Sequence, residues 1–225
     1  MRLLAIDTAT ENCSAALRVG GQLLTRELES ERGHAEHILP MIDALLAEAG
    51  VALVALDAIA FGRGPGSFTG VRLAASITQG LAFGAGLGVV AVSDLRALAQ
   101  RAFELDPHGV RVLVCNDARM GEVYWAAYAR REGLAEPSGP ERVDAPQCLA
   151  PCAAGTLGAG RGFAAYPQLA AQTGATVPAG WQRLLPRAAE IARLAEAEAR
   201  LGRLLAPEQA VPIYVRDNVA RPSSL

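Results

Sequence analysis

The stretch from Gly62 to Arg72 reads Gly-Arg-Gly-Pro-Gly-Ser-Phe-Thr-Gly-Val-Arg and joins an apolar run to a helical pattern. Residues 58–61 before it predict a buried strand, and residues 73–83 after it predict a helix. The free N–H groups at such a helix start can meet an anion or a partner. A tight structural turn is the alternative, because glycine permits positive φ and close backbone approach.

The composition of this turn does not match two familiar nucleotide motifs. It lacks the Gly-Lys-Ser/Thr ending of a P-loop, and all 21 basic residues of the chain are arginines. A dinucleotide fingerprint is not favoured either, since the chain opens with three predicted strands rather than a βαβ unit. Six residues are predicted to build the turn as structural positions: Gly64, Pro65, Gly66, Ser67, Thr69 and Gly70.

Length and composition restrict the class of protein. The 225 residues suit one large domain or two small ones, and 51% of them are hydrophobic. A formal net charge of −2 argues against autonomous nucleic-acid binding, which needs a basic surface. The lack of lysine also excludes a Schiff-base lysine. The four cysteines do not have the spacing of a zinc site, and Cys13 and Cys115 are expected to be buried free thiols.

The start of the chain and its apolar runs bear on localisation. The chain begins with an apolar strand at 3–6 and lacks a signal-peptide pattern. No apolar run reaches the length that spans a membrane, since the run from Val51 is cut by Asp57. We therefore expect a cytoplasmic protein without a membrane segment.

Hydrophobic patterns predict an α/β fold whose first lobe covers residues 1–106. Strands are expected at 3–6, 13–19, 22–28, 57–61 and 88–92, and helices from about 38 to Gly50, at 73–83 and at 94–103. The predicted order of the first lobe is therefore βββαβαβα. The turn Asp-Pro-His-Gly at 106–109 predicts its boundary.

The second lobe, residues 107–225, is expected to be smaller. Strands at 110–115 and 122–128 open it, and a helix at 186–205 and an extended tail at 211–216 close it. An apolar strand that ends in aspartate, followed by a turn and a second strand, occurs at both Asp7 and Asp117. This echo is weak evidence for two related halves.

Two turns are candidates for nucleotide binding. Asp7, Thr8 and Thr10 place a carboxylate and two hydroxyls at a strand end, where they can hold a cation and phosphate oxygens. An Asx or Ser/Thr turn that caps the strand is the alternative. The glycine-rich turn around Gly158 and Gly160 is also a candidate for a nucleotide-facing loop, and loop flexibility is its alternative.

The first two helices carry candidates for metal and partner binding. His34 and His37 flank a glutamate, which suggests a metal site, but no third ligand is near, so exposed or interface histidines are favoured. In the second helix, Leu73, Ile77 and Leu81 are predicted to face the core. The opposite side is small and weakly charged, which suits packing against another chain. It is predicted to hold Arg72, Ala75, Ser76, Gln79 and Ala82.

Five blocks of the chain occur in an order that matches a known family. They are Ile-Asp-Thr-Ala-Thr at 6–10, Arg-Gly-His-Ala-Glu-His-Ile-Leu-Pro at 32–40, Gly-Pro-Gly-Ser-Phe-Thr-Gly-Val-Arg at 64–72, Asp-Ala-Arg-Met-Gly-Glu-Val-Tyr at 117–124 and Pro-Ile-Tyr-Val-Arg at 212–216. Together they resemble the bacterial TsaB (YeaZ) family of tRNA threonylcarbamoyladenosine biosynthesis proteins. The resemblance covers the whole chain and is dense to about residue 128.

The resemblance implies an actin-like ATPase fold (ribonuclease H-like) of two related lobes, with a reduced second lobe. It also implies a role in placing a threonylcarbamoyl group on the adenosine beside the anticodon of tRNAs that read codons starting with A. The catalytic paralogue, TsaD, carries a metal-binding His-x-x-x-His, where this chain has Asp94 and Leu98. Leucine cannot ligate a metal. Ala9 also replaces the glycine of the family's nucleotide loop, and both departures imply a non-catalytic subunit.

The implied partners are TsaD in a heterodimer, the ATPase TsaE in a larger complex, and a second copy of the chain when it is alone. Contact with tRNA is expected only through the complex. The chain is expected to have no cofactor of its own, with ATP or ADP at the joint between subunits. Helices at 34–46 and 72–83 would form the interface with TsaD, through His34, His37, Ile38, Met41, Leu45, Arg72, Ala75, Ser76 and Gln79.

Two rival functions stay open from the sequence. One is a stand-alone nucleotide-dependent ATPase or kinase, which would use the Asp7–Thr10 turn and the glycine turn at 158–162. The other is a metalloprotease, which would need a metal at His34 and His37.

Overall fold

The computed structural model describes residues 1–216. Two five-stranded sheets form the framework, and the first has the strand order β3-β2-β1-β4-β5. Strands β1, β2 and β3 are antiparallel neighbours, whereas β4 and β5 run parallel to β1. The strands are β1 (Leu3–Asp7), β2 (Asn12–Val19), β3 (Gln22–Glu29), β4 (Ala58–Gly62) and β5 (Gly88–Val92).

Three helices complete the first lobe: α1 (His34–Ala49), α2 (Phe68–Ala85) and α3 (Asp94–Leu105). The order βββαβαβα is as predicted. Gly50 ends α1 in the left-handed conformation that its sequence position indicated. Helix α2 begins five residues earlier than the apolar pattern, at Phe68 rather than residue 73. The reason is Ser67, whose side chain caps the helix by accepting a hydrogen bond from Gly70 N at 3.1 Å.

The second sheet has the order β10-β6-β7-β8, with β9 also paired to β7. Its strands are β6 (Arg111–Asp117), β7 (Val123–Arg131), β8 (Leu134–Pro137), β9 (Arg142–Asp144) and β10 (Leu157–Ala159), followed by the short helices α4 (Gly162–Ala165) and α5 (Gln168–Thr173). Asp117 ends β6 as Asp7 ends β1, and each strand turns back into an antiparallel partner. The echo in the sequence therefore corresponds to a repeated β-hairpin.

The C-terminal helix α6 (Ala188–Arg200) differs from the predicted division into lobes. The sequence predicts this helix in the second lobe, but its apolar side packs on the first sheet, where Ile191 and Leu194 join Leu3 and Ala5 in one core cluster. Leu205 then bridges to Val89 of β5. The chain thus returns to the first lobe after the second sheet, because α6 buries its apolar stripe only there.

The alternation of strand side chains gives the first sheet two buried faces. One face of β1, with Leu4 and Ile6, packs against α1 and α2, and the other packs against α6. Helix α3 turns Leu98 and Phe103 toward the second sheet and so joins the two lobes. Among residues 1–216, no helix is long and apolar enough to cross a membrane.

Candidate functional site

The glycine turn packs directly on the turn that follows β1. Ser67 N donates to the carbonyl of Ala9 at 2.7 Å, and Thr8 Oγ1 donates to the carbonyl of Gly70 at 2.6 Å. A methyl group at Gly70 would overlap the carbonyl oxygen of Thr8. The turn needs glycine here because two backbone segments touch, with no room between them for a phosphate.

Asp7 and Asp94 form a buried carboxyl pair beneath this turn. Both side chains are fully buried and lie close enough to shift each other's pKa, and within residues 1–216 Asp7 Oδ2 and Asp94 Oδ1 have no hydrogen-bond partner. Ala9 N donates to Asp7 Oδ1 at 2.8 Å, and Gly64 N donates to Asp94 Oδ2 at 2.5 Å. A methyl group at Gly62 would overlap Asp94 Oδ1. Three distant segments are thereby tied together around two acids.

Burial governs the protonation of this pair. It raises the pKa of Asp7 to about 6, against the opposing effect of the Ala9 N–H. Burial and the neighbouring Asp7 carboxylate raise the pKa of Asp94 as well. Two acids in contact in a dry site favour one shared proton, because both cannot ionise there cheaply.

The buried pair corrects part of the predicted nucleotide site. Asp7 and Thr8 are fully buried, and Thr8 Oγ1 is bonded to the carbonyl of Gly70, so neither side chain has exposed surface for a ligand. Thr10 is half-buried and lines the space between the lobes. The prediction failed for Asp7 and Thr8 because their partners lie far along the chain.

Gly158 and Gly160 also have internal roles. A methyl group at Gly160 would overlap the carbonyl oxygen of Cys115, and one at Gly158 would press on Phe163. Gly158 therefore allows α4 to pack closely on β10, and Gly160 allows the turn after β10 to pass close to β6. The following residue, Arg161, was missed by the sequence analysis. It forms an ion pair with Glu11 at 3.2 Å and another with Glu29, and so joins the two lobes.

A cleft of about 1610 Å³ lies between the lobes. Thr10 and Glu11 line it from the first lobe, and Asn116 and Arg161 line it from the second. Among residues 1–216, Asn116 Nδ2 is buried without a hydrogen-bond acceptor. The cleft therefore has charges of both signs, and it is larger than a typical small-molecule pocket of about 300–1,000 Å³.

The tail at 211–216 crosses the mouth of this cleft. Ile213 N donates to the carbonyl of Arg63 at 2.8 Å beside the glycine turn. Arg216 reaches the second lobe, where it donates to the carbonyl of Ala118 at 3.1 Å and to Glu122 Oε2 at 2.5 Å. The extended segment predicted here is therefore a strap that connects the two lobes without joining a sheet.

Known proteins share this architecture. The chain is 41% identical to the tRNA threonylcarbamoyladenosine biosynthesis protein TsaB of Escherichia coli K12, over 98% of this chain and 96% of that protein. It is 40% identical to the TsaB of Haemophilus influenzae, over 97% and 95% of the two chains. The solved structure of YeaZ from Pseudomonas aeruginosa superimposes with a TM-score of 0.88 at 46% identity, over 95% of this chain and 99% of that one.

The chain belongs to the TsaB family. A family model described as TsaD, tRNA N6-adenosine threonylcarbamoyltransferase, also matches residues 28–223. The TsaB family is thus related in sequence to the TsaD family, and the actin-like fold implied by the resemblance is confirmed. The chain is a tRNA threonylcarbamoyladenosine biosynthesis protein by family.

The predicted TsaB interface residues fall into two groups. Ile38, Leu45 and Ala75 are buried in the core of the first lobe, so they cannot contact a partner and leave the predicted set. In α1 the apolar stripe that contains Ile38 and Leu45 faces the core, whereas in α2 the inward side is made of small residues that include Ala75. The others line the outer side of the helices. His37, Arg72 and Ser76 are exposed, and His34, Met41 and Gln79 are half-buried.

The inward face of α2 also differs from the prediction. Val71, Ala74, Thr78 and Ala82 are buried, whereas the predicted core positions Leu73, Ile77 and Leu81 are only partly covered. Small residues face the sheet because α2 lies close to β4 and β1. The larger side chains therefore contribute to the outer surface.

Three exposed apolar residues near this outer surface were missed by the sequence analysis. Phe83 is 81% exposed, Phe68 is 54% exposed and Leu39 is 45% exposed. Leu39 lies on α1, whereas Phe68 and Phe83 lie on α2, and exposed apolar surface is a feature of protein interfaces where it is contiguous. We call the outer side of the two helices, with these residues, the α1/α2 face.

The histidines at the start of α1 do not converge on a metal site. His34 Nε2 donates to the carbonyl of Thr10 at 2.8 Å, and the exposed His37 lies beside Gly33. In the part of the chain that the structure describes, no group of three or more His, Cys, Asp or Glu side chains is arranged to hold a metal ion. Within that part, the two histidines therefore have no third ligand.

Proposed function

We propose that this TsaB-family chain is a non-catalytic scaffold and activator subunit that pairs with TsaD. TsaD would then place the threonylcarbamoyl group on the adenosine next to the anticodon in tRNAs that read codons starting with A. The observation that carries this proposal is the buried Asp7–Asp94 pair. Asp94 stands where the resemblance places a metal-binding histidine, and it is enclosed with Asp7. Leu98, at the second histidine position, lies in the core.

The α1/α2 face supports pairing with another protein. It combines exposed apolar residues, Leu39, Phe68 and Phe83, with the exposed arginine Arg72. Interface hot spots are enriched in aromatic residues and arginine, surrounded by contacts that exclude water. In the absence of TsaD, the same face would pair two copies of this chain.

The other expected participants join through the complex. TsaE would bind the TsaB–TsaD pair, with ATP or ADP at the joint between subunits. The tRNA would contact this chain only within the assembly, since a net charge of −2 provides little attraction for phosphates.

Reconstitution tests the proposal. Threonylcarbamoyl transfer to tRNA is measured with TsaD, TsaE and the enzyme that makes threonylcarbamoyl-adenylate, with and without this chain. We expect transfer to require the chain, and the chain alone to be inert. Transfer of equal rate without it would contradict the proposal.

A matched pair of variants tests the location of the interface. Ser76→Glu places a charge on the α1/α2 face, and Ser138→Glu places one on an exposed turn of the second lobe. We expect only Ser76→Glu to weaken pairing with TsaD and to slow transfer. Equal binding by both variants would show that the interface lies elsewhere.

A stand-alone ATPase or kinase is the second candidate, and the open cleft of about 1610 Å³ between the lobes favours it. It would act through Thr10 and Arg161 rather than the buried Asp7. ATP turnover by the isolated chain that is lost in both Thr10→Val and Arg161→Met would support this function. Absence of turnover by the wild-type chain would remove it.

A further inference from the structure

Arg72 occupies an unusual position on the α1/α2 face. Its guanidinium lies over the ring of Phe68, 3.5 Å from the ring centroid, and 5.6 Å from that of Tyr214. Its Nε donates to the hydroxyl oxygen of Tyr214 at 2.7 Å. The two aromatic rings are 5.9 Å apart and are exposed to about half of their surface. Stacking and the Nε bond together hold the cation in one orientation.

The remaining donors of Arg72 point to a missing acceptor. Within residues 1–216, its only hydrogen bond is the one to Tyr214, and no acidic group forms an ion pair with it. Several other arginines of the described chain are held by carboxylates, such as Arg96 by Glu198 at 2.9 Å, whereas Arg72 is held by two aromatic residues. In the part of the chain that the structure describes, both Nη groups of Arg72 have no partner, and the guanidinium is already ordered. This arrangement lowers the entropy that binding an anion would cost.

The strap at 211–216 builds half of this arrangement. Tyr214 follows Ile213, whose N–H is bonded to Arg63, and precedes Arg216, which is bonded to Glu122 in the second lobe. The hydroxyl of Tyr214 is therefore fixed from both sides. The orientation of Arg72 depends in this way on a segment more than a hundred residues away in sequence.

We infer that Arg72 is a preformed receptor for the carboxylate of an aspartate or glutamate on the partner protein, positioned by Phe68 and Tyr214. This inference rests on the proposed pairing with TsaD. Arginine binds carboxylates through two parallel N–H···O bonds, for which the free Nη edge is suited. The partly apolar surroundings, Phe68, Ile213 and Tyr214, match a protein surface that excludes water around the ion pair.

Calorimetric titration of the full chain with TsaD tests this receptor. Arg72→Gln is expected to weaken binding by roughly 30-fold or more, the loss that marks an interface hot spot. Arg72→Lys is expected to recover only part of it, because an ammonium cannot form the two parallel bonds. The control is Arg111→Gln, an exposed arginine at the start of β6, which should bind as the wild type does.

The positioning role of Tyr214 has its own readout. Tyr214→Phe keeps the ring and removes the hydroxyl, so we expect a loss of severalfold in affinity that is absent when Tyr214→Phe is added to Arg72→Gln. A purely structural role would give the same loss in both backgrounds. Equal losses would overturn the positioning role.

Charge exchange identifies the acceptor. Arg72→Glu should abolish binding, and one Asp→Arg or Glu→Arg variant of TsaD should restore it. Inorganic phosphate at constant ionic strength serves as the competing probe. Competition by phosphate without any rescuing TsaD variant would overturn the carboxylate assignment. Wild-type affinity of Arg72→Gln would overturn the receptor while the proposed pairing stands, and no binding by the wild-type chain would overturn both.

Discussion

The carboxyl groups of Asp7 and Asp94 lie side by side next to Gly62 inside the first lobe, with no exposed surface on either side chain. Asp7 ends β1 and Asp94 begins α3. The backbone N–H groups of Ala9 and Gly64 bind the outer oxygens of the pair. A pair of buried acids thus connects the strand end to the glycine turn, at the position where the resemblance places a metal ligand in TsaD.

The pH dependence of stability should report this pair. The folded protein holds the proton on Asp7 up to about pH 6, whereas the unfolded chain releases it near 3.8. The folded state therefore binds more protons between these values, and the free energy of unfolding should fall as the pH rises through that window, by on the order of 1–3 kcal/mol. Urea unfolding at a series of pH values measures it.

The matched variants for that experiment are Asp7→Asn and Asp43→Asn. Asp7→Asn removes the carboxyl group whose pKa burial raises to about 6, so the pH-dependent loss in that window should largely disappear. Asp43 is exposed on α1 and its variant should keep the wild-type profile. An unchanged profile for Asp7→Asn would show that Asp94 or another charged group beside the pair (His34, Glu190 or Arg63) controls this window.

Close backbone packing at the glycine turn should make Gly70 intolerant of a side chain. Gly70→Ala would press a methyl group into the carbonyl of Thr8, and we expect a loss of about 1–3 kcal/mol in the free energy of unfolding. Gly80→Ala in the same helix meets no atom within 4 Å and should gain up to about 1 kcal/mol. Equal effects of the two changes would refute the close packing.

Substitution of a buried leucine of α1 should lower stability, whereas substitution of an exposed leucine of the same helix should weaken binding to TsaD. Leu45 is fully buried, so Leu45→Ala should cost about 2–5 kcal/mol of stability. Leu39 is 45% exposed on the α1/α2 face, so Leu39→Ala should change stability by less than about 1 kcal/mol and weaken pairing with TsaD. Thermal unfolding measures the change in stability, and calorimetric titration measures the change in affinity for TsaD. A strong loss of stability in Leu39→Ala would contradict the described face.

Removing Arg187 should expose the cost of an unpaired buried charge. Glu190 on α6 has a fully buried side chain, and Arg187 Nε donates to its Oε1 at 3.2 Å. Arg187→Met should destabilise the fold by about 3–5 kcal/mol. The control Arg200→Met removes an exposed arginine from its pair with Glu196 on the same helix and should cost less than about 1 kcal/mol. If both variants lost a similar amount of unfolding free energy, the burial of Glu190 would not determine how much its ion pair contributes to stability.

Much of the first lobe was predictable from local signals. The apolar runs of β1, β4 and β5, and Gly50 at the end of α1, encode their own secondary structure within a few residues. The start of α2 was missed because it depends on the cap at Ser67 rather than on an apolar period. The packing of α6 on the first sheet was not predicted. An apolar stripe shows that one face of a helix is buried, but it does not show which sheet that face packs against.

The candidate site was predictable only in part. The glycine turn and Arg72 could be selected from the sequence, but the faces of α1 and α2 could not, so Ile38, Leu45 and Ala75 were assigned outward although they are buried. Arg161 and the strap residue Tyr214 carried no local signal for their roles. Each acts through a residue that is distant in sequence.

By itself, the sequence determined the order of helices and strands, the glycine turn and the family, because periodicity, caps and motifs are properties of neighbouring residues. Tertiary structure alone decided that Asp7 meets Asp94 and that Tyr214 meets Arg72. Burial raises the pKa of Asp7, and stacking orders the Arg72 guanidinium, only when segments far apart in the chain pack together.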